Sequence, residues 1–385
     1  MIVGIDAHKR SCTASTFDES YNLKETFEFS TTRNGVSEFM ERVPEGSTVV
    51  IKASTTGKTL SRMLSAKYAV HMITSSGRKP QIKTDKRDSV KMVKEDALGY
   101  VSRCYIPNQY IEGLRFLSSN MTEIGHKASM VKNQIHALLE RNMVQDQFHD
   151  LSDIFGVEGL ERLANLELPH EDSVILAMYL NELELYAEQH DQLEQEINTA
   201  ASNDEDCRLL MTMPGVGPFV AVTIKARIGD ITRFTDKKKL ASYAGVVPRA
   251  SNSGDYVSSH NSVKKGDMSL KYALTLAVNG AVKSKRKNVI KSFCTKQVRK
   301  GRPAQLAIVA AARKLANIVW KVLTSRHAYV DEDKQLTSRK MHSVELVIGA
   351  KLKKVTGPGD IQATVRKLKT RPSVNFIDEV GNIIK

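Results

Sequence analysis

The chain has 385 residues, 41% of them hydrophobic, enough for two or three domains with their own cores. No apolar run approaches the ~20 residues that span a bilayer, and the first residues lack the basic, apolar, small-residue order of a signal peptide, so no membrane partner is expected. The net charge of +14 and four isolated cysteines without Cys-x-x-Cys spacing argue against disulfides and structural zinc, and fit a basic protein of a reducing cytoplasm.

Residues 1–107 carry 17 Lys and Arg against 12 Asp and Glu. They alternate between strand and helix patterns, with strands expected at 2–5, 25–30, 48–51 and 70–73 and helices at 36–42, 58–66 and 88–98. That alternation predicts an α/β layered domain. The opening Met1-Ile-Val-Gly-Ile-Asp-Ala-His-Lys9 delivers one carboxylate, Asp6, at the end of an apolar β-branched run. Lys83-Thr-Asp-Lys-Arg-Asp88 adds Asp85 and Asp88, three residues apart at a helix entrance, where that spacing faces one side. Together the three acids could hold Mg²⁺ or Mn²⁺, hard cations that take oxygen ligands. Asp85 and Asp88 also read as solvated acids of a helix first turn.

Residues 108–206 reverse the charge, 5 basic against 20 acidic. Two long helical patterns, 112–142 and 172–200, are joined by a connector holding Gly156, Gly159 and Pro169. The second places Leu176, Leu180, Leu183, Ala187, His190, Glu194 and Ile197 at 3-4 spacing. An antiparallel helical pair or a dimerising coiled coil is expected, an arm for oligomerisation rather than for wrapping DNA.

Residues 207–330 swing back to 24 basic against 4 acidic, with no Glu. Such an excess attracts a polyanion, whereas a merely solubilising surface mixes both signs; nucleic acid is the expected partner, which places the protein at the nucleoid. Met213-Pro-Gly-Val-Gly-Pro218 reads as a tight turn between helices, whose Gly215 and Gly217 let backbone N–H groups approach a phosphate. This is a helix-hairpin-helix-like element, or else a packing turn. Ala250-Ser-Asn-Ser-Gly-Asp255 offers the hydroxyls of Ser251 and Ser253 between Arg249 and His260, Lys264 and Lys265. Ser253 could be a nucleophile with phosphate-neutralising neighbours; Asn-Ser-Gly-Asp is also an ordinary turn. Residues 269–326 are helical and basic, densest around Lys285, Arg286 and Lys287, and contain the single Trp, Trp320, expected in the core. Beyond 326 a loosely attached basic appendage is expected, irregular from Asp331, with strands near 374–377 and 383.

Together these motifs resemble the insertion-sequence transposases of the DEDD type (the IS one-ten family) and the related Piv-type DNA invertases. Gly4-Ile-Asp-Ala-His-Lys9, the Lys83–Asp88 block, Met213–Pro218, Ile228-Gly-Asp-Ile-Thr-Arg-Phe234 and Tyr243-Ala-Gly-Val-Val-Pro-Arg249 occur in the family's order over about residues 1–325. The resemblance implies an RuvC-like, RNase H-type α/β domain at 1–107, a coiled-coil arm at 108–206 and a helical transposase domain at 207–326; the appendage at 327–385 lies outside it. It also implies a serine bonded covalently to DNA, metal-bound acids of one protomer assisting the serine domain of another, a structured guide (bridge) RNA, and dimers or tetramers on DNA. By position the metal-binding acids fall on Asp6, Asp85 and Asp88, and the nucleophile on Ser253.

One position departs from the family pattern. Where a Glu is expected, the stretch Val50-Ile-Lys-Ala-Ser-Thr-Thr-Gly57 has Lys52, which cannot ligate a cation while protonated. Glu95 lies seven residues past Asp88, ~10 Å along a continued helix, and is no substitute. Three functions stay open: a recombinase with a one-metal site, an impaired DNA- and RNA-binding assembly protein, and an RuvC-like junction nuclease that uses water.

Overall fold

The computed structural model describes residues 1–74, 85–247, 252–253, 256–257 and 266–349. The chain divides into two compact units, Met1–Glu112 and Gly113–Lys385.

The first unit is a five-stranded sheet of β1 (Ile2–Ala7), β2 (Ser11–Phe17), β3 (Leu23–Ser30), β4 (Thr48–Lys52) and β5 (Ala69–Ile73), in the order β3-β2-β1-β4-β5. β1 is central, antiparallel to β2 and parallel to β4. Alternate residues of each strand face opposite sides, so β1 feeds two cores. Val3 and Ile5 pack with Val49, Ile51, Val36 and Phe39 of α1 (Arg33–Arg42), and Leu60 and Leu64 of α2 (Thr55–Leu64). The other face gathers Phe17, Val50 and Ile73 against Met92 and Val93 of α3 (Asp85–Ala97). Thr32 and Ser54 cap α1 and α2, each accepting a hydrogen bond from the backbone N–H three residues on.

Gly4 sets how close α3 can come. A β-carbon there would stand 2.2 Å from the Ser89 carbonyl oxygen and 2.7 Å from Val93 Cγ2. Beside this contact the Ser15 and Ser89 hydroxyls lie 2.7 Å apart in the buried interior.

β2 was not expected as a strand. Ser11-Cys-Thr-Ala-Ser-Thr-Phe17 lacks a run of large apolar side chains, yet its residues from Cys12 onward are buried. The Ser15 hydroxyl is satisfied internally, lying 3.1 Å from Thr26 Oγ1 as well as near Ser89. Small hydroxylated residues therefore fill a position that apolar periodicity does not mark.

α4 (Gln109–Arg141) opens the helical part of the chain, and α5 (Val157–Asn165) and α6 (His170–Asn203) follow. Ile135, Leu138 and Leu139 at the end of α4 share a core with Leu163 of α5 and Leu176, Leu180 and Leu183 of α6. Asn142 Nδ2 donates to Asp172 Oδ2 at 2.8 Å across the same junction. The α6 seam follows its spacing: Leu176, Leu180, Leu183 and Ile197 are buried, while Ala187, His190 and Glu194 are half-buried.

The basic part comprises α7 (Glu205–Met211), α8 (Pro218–Ile228), α9 (Lys237–Tyr243), a two-strand ladder of β6 (Asn252–Ser253) and β7 (Tyr256–Val257), α10 (Met268–Lys283), α11 (Val289–Arg299), α12 (Ala304–Ser325) and α13 (Lys334–Gly349). Rows of alanine, Ala273, Ala277 and Ala281 on α10 and Ala307, Ala311 and Ala312 on α12, are buried where these helices pack closely. Trp320 is half-buried rather than in the core proper, its Nε1 donating to the Phe234 carbonyl at 3.0 Å.

The expected irregular appendage is corrected over residues 334–349, which form α13 and pack on α6. Lys340 Nζ donates to the carbonyls of Met211 at 2.7 Å and Met213 at 2.8 Å. Val344 is its one buried residue. Docking through carbonyl groups leaves no apolar stripe in the sequence, which is why the helix went unread. The strands expected near 374–377 and 383 lie outside the described residues.

Gly4→Ala should lower the stability of the first unit by about 1–3 kcal/mol, the usual cost of forcing extra atoms into a packed interior. The single Trp320 lies in the second unit. In a urea titration the far-UV circular dichroism transition should therefore broaden or move to lower urea while tryptophan emission holds its midpoint. Coincident shifts of both signals would contradict this.

Candidate functional site

Asp6 sits near the end of the central strand and is 5% exposed. His8 Nε2 lies 3.2 Å from its Oδ2. Ile5 pairs with Ile51, so Lys52, one residue further along β4, comes beside Asp6 on the adjacent strand and on the same face. Asp6, Gly4 and Ile2 share the face that α3 covers, because side chains two apart in a strand point the same way. Asp85 opens α3 and Asp88 precedes Ser89, the residue that meets Gly4; Met92 and Val93 follow towards the Ile2 and Phe17 end. The first turn of α3 therefore lies towards the end of β1 that carries Asp6. Asp88 is half-buried. Glu95 is half-buried further along α3, in an i,i+4 pair with Lys91.

Asp6 and Asp88 place carboxylates towards one end of the sheet, where they could hold a hard divalent cation, and Lys52 stands at the neighbouring strand position. Among the described residues, His190, Asp191 and Glu194 of α6 bring potential ligand atoms within 4.8 Å of one another. They lie on a partly exposed surface.

Sequence reasoning missed a second carboxylate of this unit. Asp96 of α3 is buried and accepts from Arg103 Nε at 2.8 Å and Nη2 at 3.0 Å, with His71 Nδ1 2.8 Å from its Oδ2. Burial pushes its pKa up, but the hydrogen bonds and charges of Arg103 and His71 outweigh this and hold the carboxyl below its ordinary 3.8. The cluster ties α3 to β5. Its members come from three separated segments, so no spacing in the sequence could reveal it.

In the second unit, Ser253 pairs with Tyr256 and Asn252 with Val257 in an antiparallel ladder. Arg249, Ser251, His260, Lys264 and Lys265 lie outside the described residues. The feet of this excursion are described. Gly245 and Gly266 have positive φ, 64° and 142°, and a β-carbon on Gly266 would lie 2.5 Å from Gly245 Cα. The Asp267 N–H donates to the Tyr243 carbonyl at 2.8 Å. The stretch between is thus tied at its base.

The Gly229–Phe234 motif braces those feet. The Asp230 carboxylate accepts from the Thr232 N–H at 2.9 Å, and Arg233 Nε donates to the Ile228 carbonyl at 2.8 Å. The Arg233 guanidinium lies 4.2 Å from the Phe234 ring centroid and 4.5 Å from that of Tyr243, the last residue of α9. Here the motif residues position rather than react.

The turn between α7 and α8 assigns its two glycines different tasks. Gly215 has φ 76°, and a β-carbon on it would lie 1.9 Å from the Ala277 carbonyl oxygen, so it is wedged against α10. Gly217, the residue before α8, has open space at its β-position. Both border a cavity of about 850 Å³ that also reaches α11, α12 and α13. Arg286 and Lys287 line it, and Lys285 is exposed nearby. Arg286 is paired with Asp333 and donates to Gln335 Oε1 at 3.2 Å. Lys340 is pushed down to about 8 by burial, against the opposing charges of Glu332 and Asp333.

Residues 207–294 match the Transposase IS116/IS110/IS902 family. Over 142 residues, 35% of this chain and 38% of the relative, the chain is 34% identical to the transposase for insertion sequence element IS1111A of Coxiella burnetii. It is 24% identical over 273 residues to a probable family 20 transposase of Pseudomonas aeruginosa, covering 68% of this chain and 79% of that protein. It is 30% identical over 139 residues to the pilin gene-inverting protein of Moraxella bovis, 36% of this chain and 43% of that protein. The chain thus spans less than half the length of the first and third relatives. No helix among the described residues is long and apolar enough to cross a membrane.

Arg103→Ala leaves Asp96 with His71 but without its bidentate partner and, since the Arg103 side chain is 55% exposed, should cost about 1 kcal/mol in the first unit at neutral pH. Because the folded carboxyl is held below its ordinary value, its stabilisation is full above that value and lost as the pH falls through the depressed one. Denaturant midpoints of the original chain and of Asp96→Asn, measured from pH 6 downward, should therefore converge only at acid pH. A constant gap would refute the assignment.

Proposed function

We propose that this chain, whose residues 207–294 form a Transposase IS116/IS110/IS902 family domain, is a DNA transposase or recombinase that cuts and rejoins DNA through Ser253. The observation that carries the reading is the family match itself, because it covers the segment that bears Ser253 and most of the basic excess. The tied feet of that segment support it, since a nucleophile gains from being held on a fixed base.

In this reading the Ser253 oxygen attacks a DNA phosphorus as it loses its proton. The bond from phosphorus to a sugar oxygen breaks, and that oxygen leaves as a hydroxyl after taking up a proton. A second DNA hydroxyl then attacks the serine-bound phosphorus, and the serine regains its proton. Arg249, Lys264 and Lys265 neutralise phosphate charge, and Gly217 with Lys285 and Lys287 grips backbone without reading sequence, Arg286 being held beside them by Asp333. Asp6, Asp85 and Asp88 would hold Mg²⁺ or Mn²⁺. Such an ion, when bound, stabilises charge on the leaving oxygen. The mixed sheet, with Asp6 near the end of its central strand and α3 across one face, supports an RuvC-like, RNase H-type domain. The long α4 and α6 helices support a coiled-coil arm. A structured guide RNA and a homo-oligomer, a dimer that forms a tetramer on DNA, complete the proposal, with the acids of one protomer serving the serine segment of another.

Lys52 favours a second reading, a DNA- and RNA-binding assembly protein without strand transfer, because it removes an acid from the cluster. Denaturing gels of the protein incubated with DNA from the ends of its element and Mg²⁺ separate the two. A covalent protein–DNA band is expected, absent in Ser253→Ala and reduced roughly 100-fold or more in Asp6→Asn, since even loss of an outer-shell metal partner costs 10–100-fold. DNA binding with no such band would establish the assembly protein. Cleavage that survives Ser253→Ala but not Asp6→Asn would make the protein a junction nuclease.

A further inference from the structure

The cavity beside the α7–α8 turn differs from a surface that merely grips a duplex. Its volume of about 850 Å³ falls in the small-ligand range of ~300–1,000 Å³. A duplex, whose major groove alone is ~12 Å wide, cannot enter such a space. Its lining is also of two kinds. Phe293 and Val289 of α11, Val216 and Leu336 supply apolar wall. Lys287, Lys296 and Lys314 supply charge, whereas Arg286 is already engaged by Asp333 and Lys340 by two carbonyls. Against the three remaining ammonium groups stands Asp331, whose Oδ2 lies 3.3 Å from the Tyr329 hydroxyl. The excess is positive.

Aromatic ring and cation are brought together here. Lys314 Nζ lies 5.0 Å from the Phe293 ring centroid, although the two residues belong to different helices. Phe293 is half-buried, so part of its ring is open to the cavity. Gly217, which lines the cavity, is the residue before the eleven-residue helix α8, and no side chain caps that helix's first turn.

We infer that this cavity binds a nucleoside phosphate, with its base against the Phe293 ring and its phosphate among Lys296, Lys314 and the start of α8. The chemistry is that of single-strand recognition, in which aromatic side chains stack bases and cations track phosphates. The ligand is either one unpaired nucleotide of a longer strand or a free nucleotide. The first source rests on the reading that this unit engages nucleic acid.

Fluorescence anisotropy of the full chain with a labelled single strand of about ten nucleotides, the matching blunt duplex and thymidine monophosphate as competitor tests this. Phe293→Leu should weaken single-strand binding roughly tenfold or more, with duplex affinity unchanged, and Phe293→Tyr should restore it. Lys314→Gln should reduce the single-strand salt slope by roughly 0.7. Displacement of the strand by the monophosphate, itself dependent on Phe293, assigns the site to free nucleotides; no displacement assigns it to a strand. Melting curves check that the variants fold. Unchanged binding of both ligands in a folded Phe293→Leu protein overturns the proposal, as does equal weakening of single strand and duplex. Serine–DNA adduct formation does not enter the readout, so loss of that chemistry would sink the recombinase reading and leave this one standing.

Discussion

A helix can lie against another backbone only where no β-carbon stands between them, and the described parts of this chain depend on that constraint. At Gly4 it sets α3 on the central strand. At Gly215 it seats the α7–α8 turn on α10, and at Gly266 it closes the feet of the serine-bearing excursion on Gly245. In each case the nearest atom is backbone, which cannot move aside as a flexible side chain could. The candidate chemistry lies near each contact: Asp6 two residues past Gly4, Gly217 two residues past Gly215, and Ser253 between Gly245 and Gly266. Small residues here serve position first, and the groups that could react inherit that position.

The charge pattern is organised by the same economy of contact. The acidic arm and the basic helices share one compact unit, so opposite charges are placed where they can pair. Arg326 meets Asp206 and Glu205, and Lys225 Nζ lies 2.5 Å from Asp206 Oδ2. Lys225 is raised despite burial, which alone would lower it, because Asp206 bonds to it. Lys287, Lys296 and Lys314 are in no such ion pair among the described residues and line the cavity instead. Pairing consumes some of the basic excess and leaves the rest at particular sites rather than spread over the surface.

How much of this was legible follows from the kind of signal each element emits. β1, β4 and β5 carry β-branched apolar runs, and α4 and α6 keep a helical period over many turns, so all were readable. β2 escaped because its buried side chains are mostly hydroxyls and small groups, Ser15 bonding to Thr26 and Ser89 of neighbouring elements. α13 escaped because its anchoring group is an ammonium on carbonyl oxygens. The Asp96, His71 and Arg103 cluster is assembled only by the fold. Gly215 and Gly217 look alike in sequence, since both suit a turn and a phosphate approach, and only the proximity of α10 tells the packing glycine from the open one. Asp6 was readable as a carboxylate closing an apolar run, and the fold places it there, near the end of the central strand and 5% exposed.

Lys52 bears on which chemistry the acid end can support. Neighbouring strands are ~4.8 Å apart, and unit charges at about that distance interact by roughly 3 kcal/mol at an effective dielectric near 20. A divalent ion placed beside Lys52 would meet about twice that in repulsion. An ammonium can neutralise a phosphate oxygen without any binding equilibrium, but it offers no coordination site and cannot turn a water into hydroxide as a bound metal does. Hydrolysis by water therefore loses more from Lys52 than attack by a serine, which brings its own oxygen. On the proposed reading the altered position and the serine nucleophile are compatible, and the water-using nuclease is the alternative that Lys52 disfavours most.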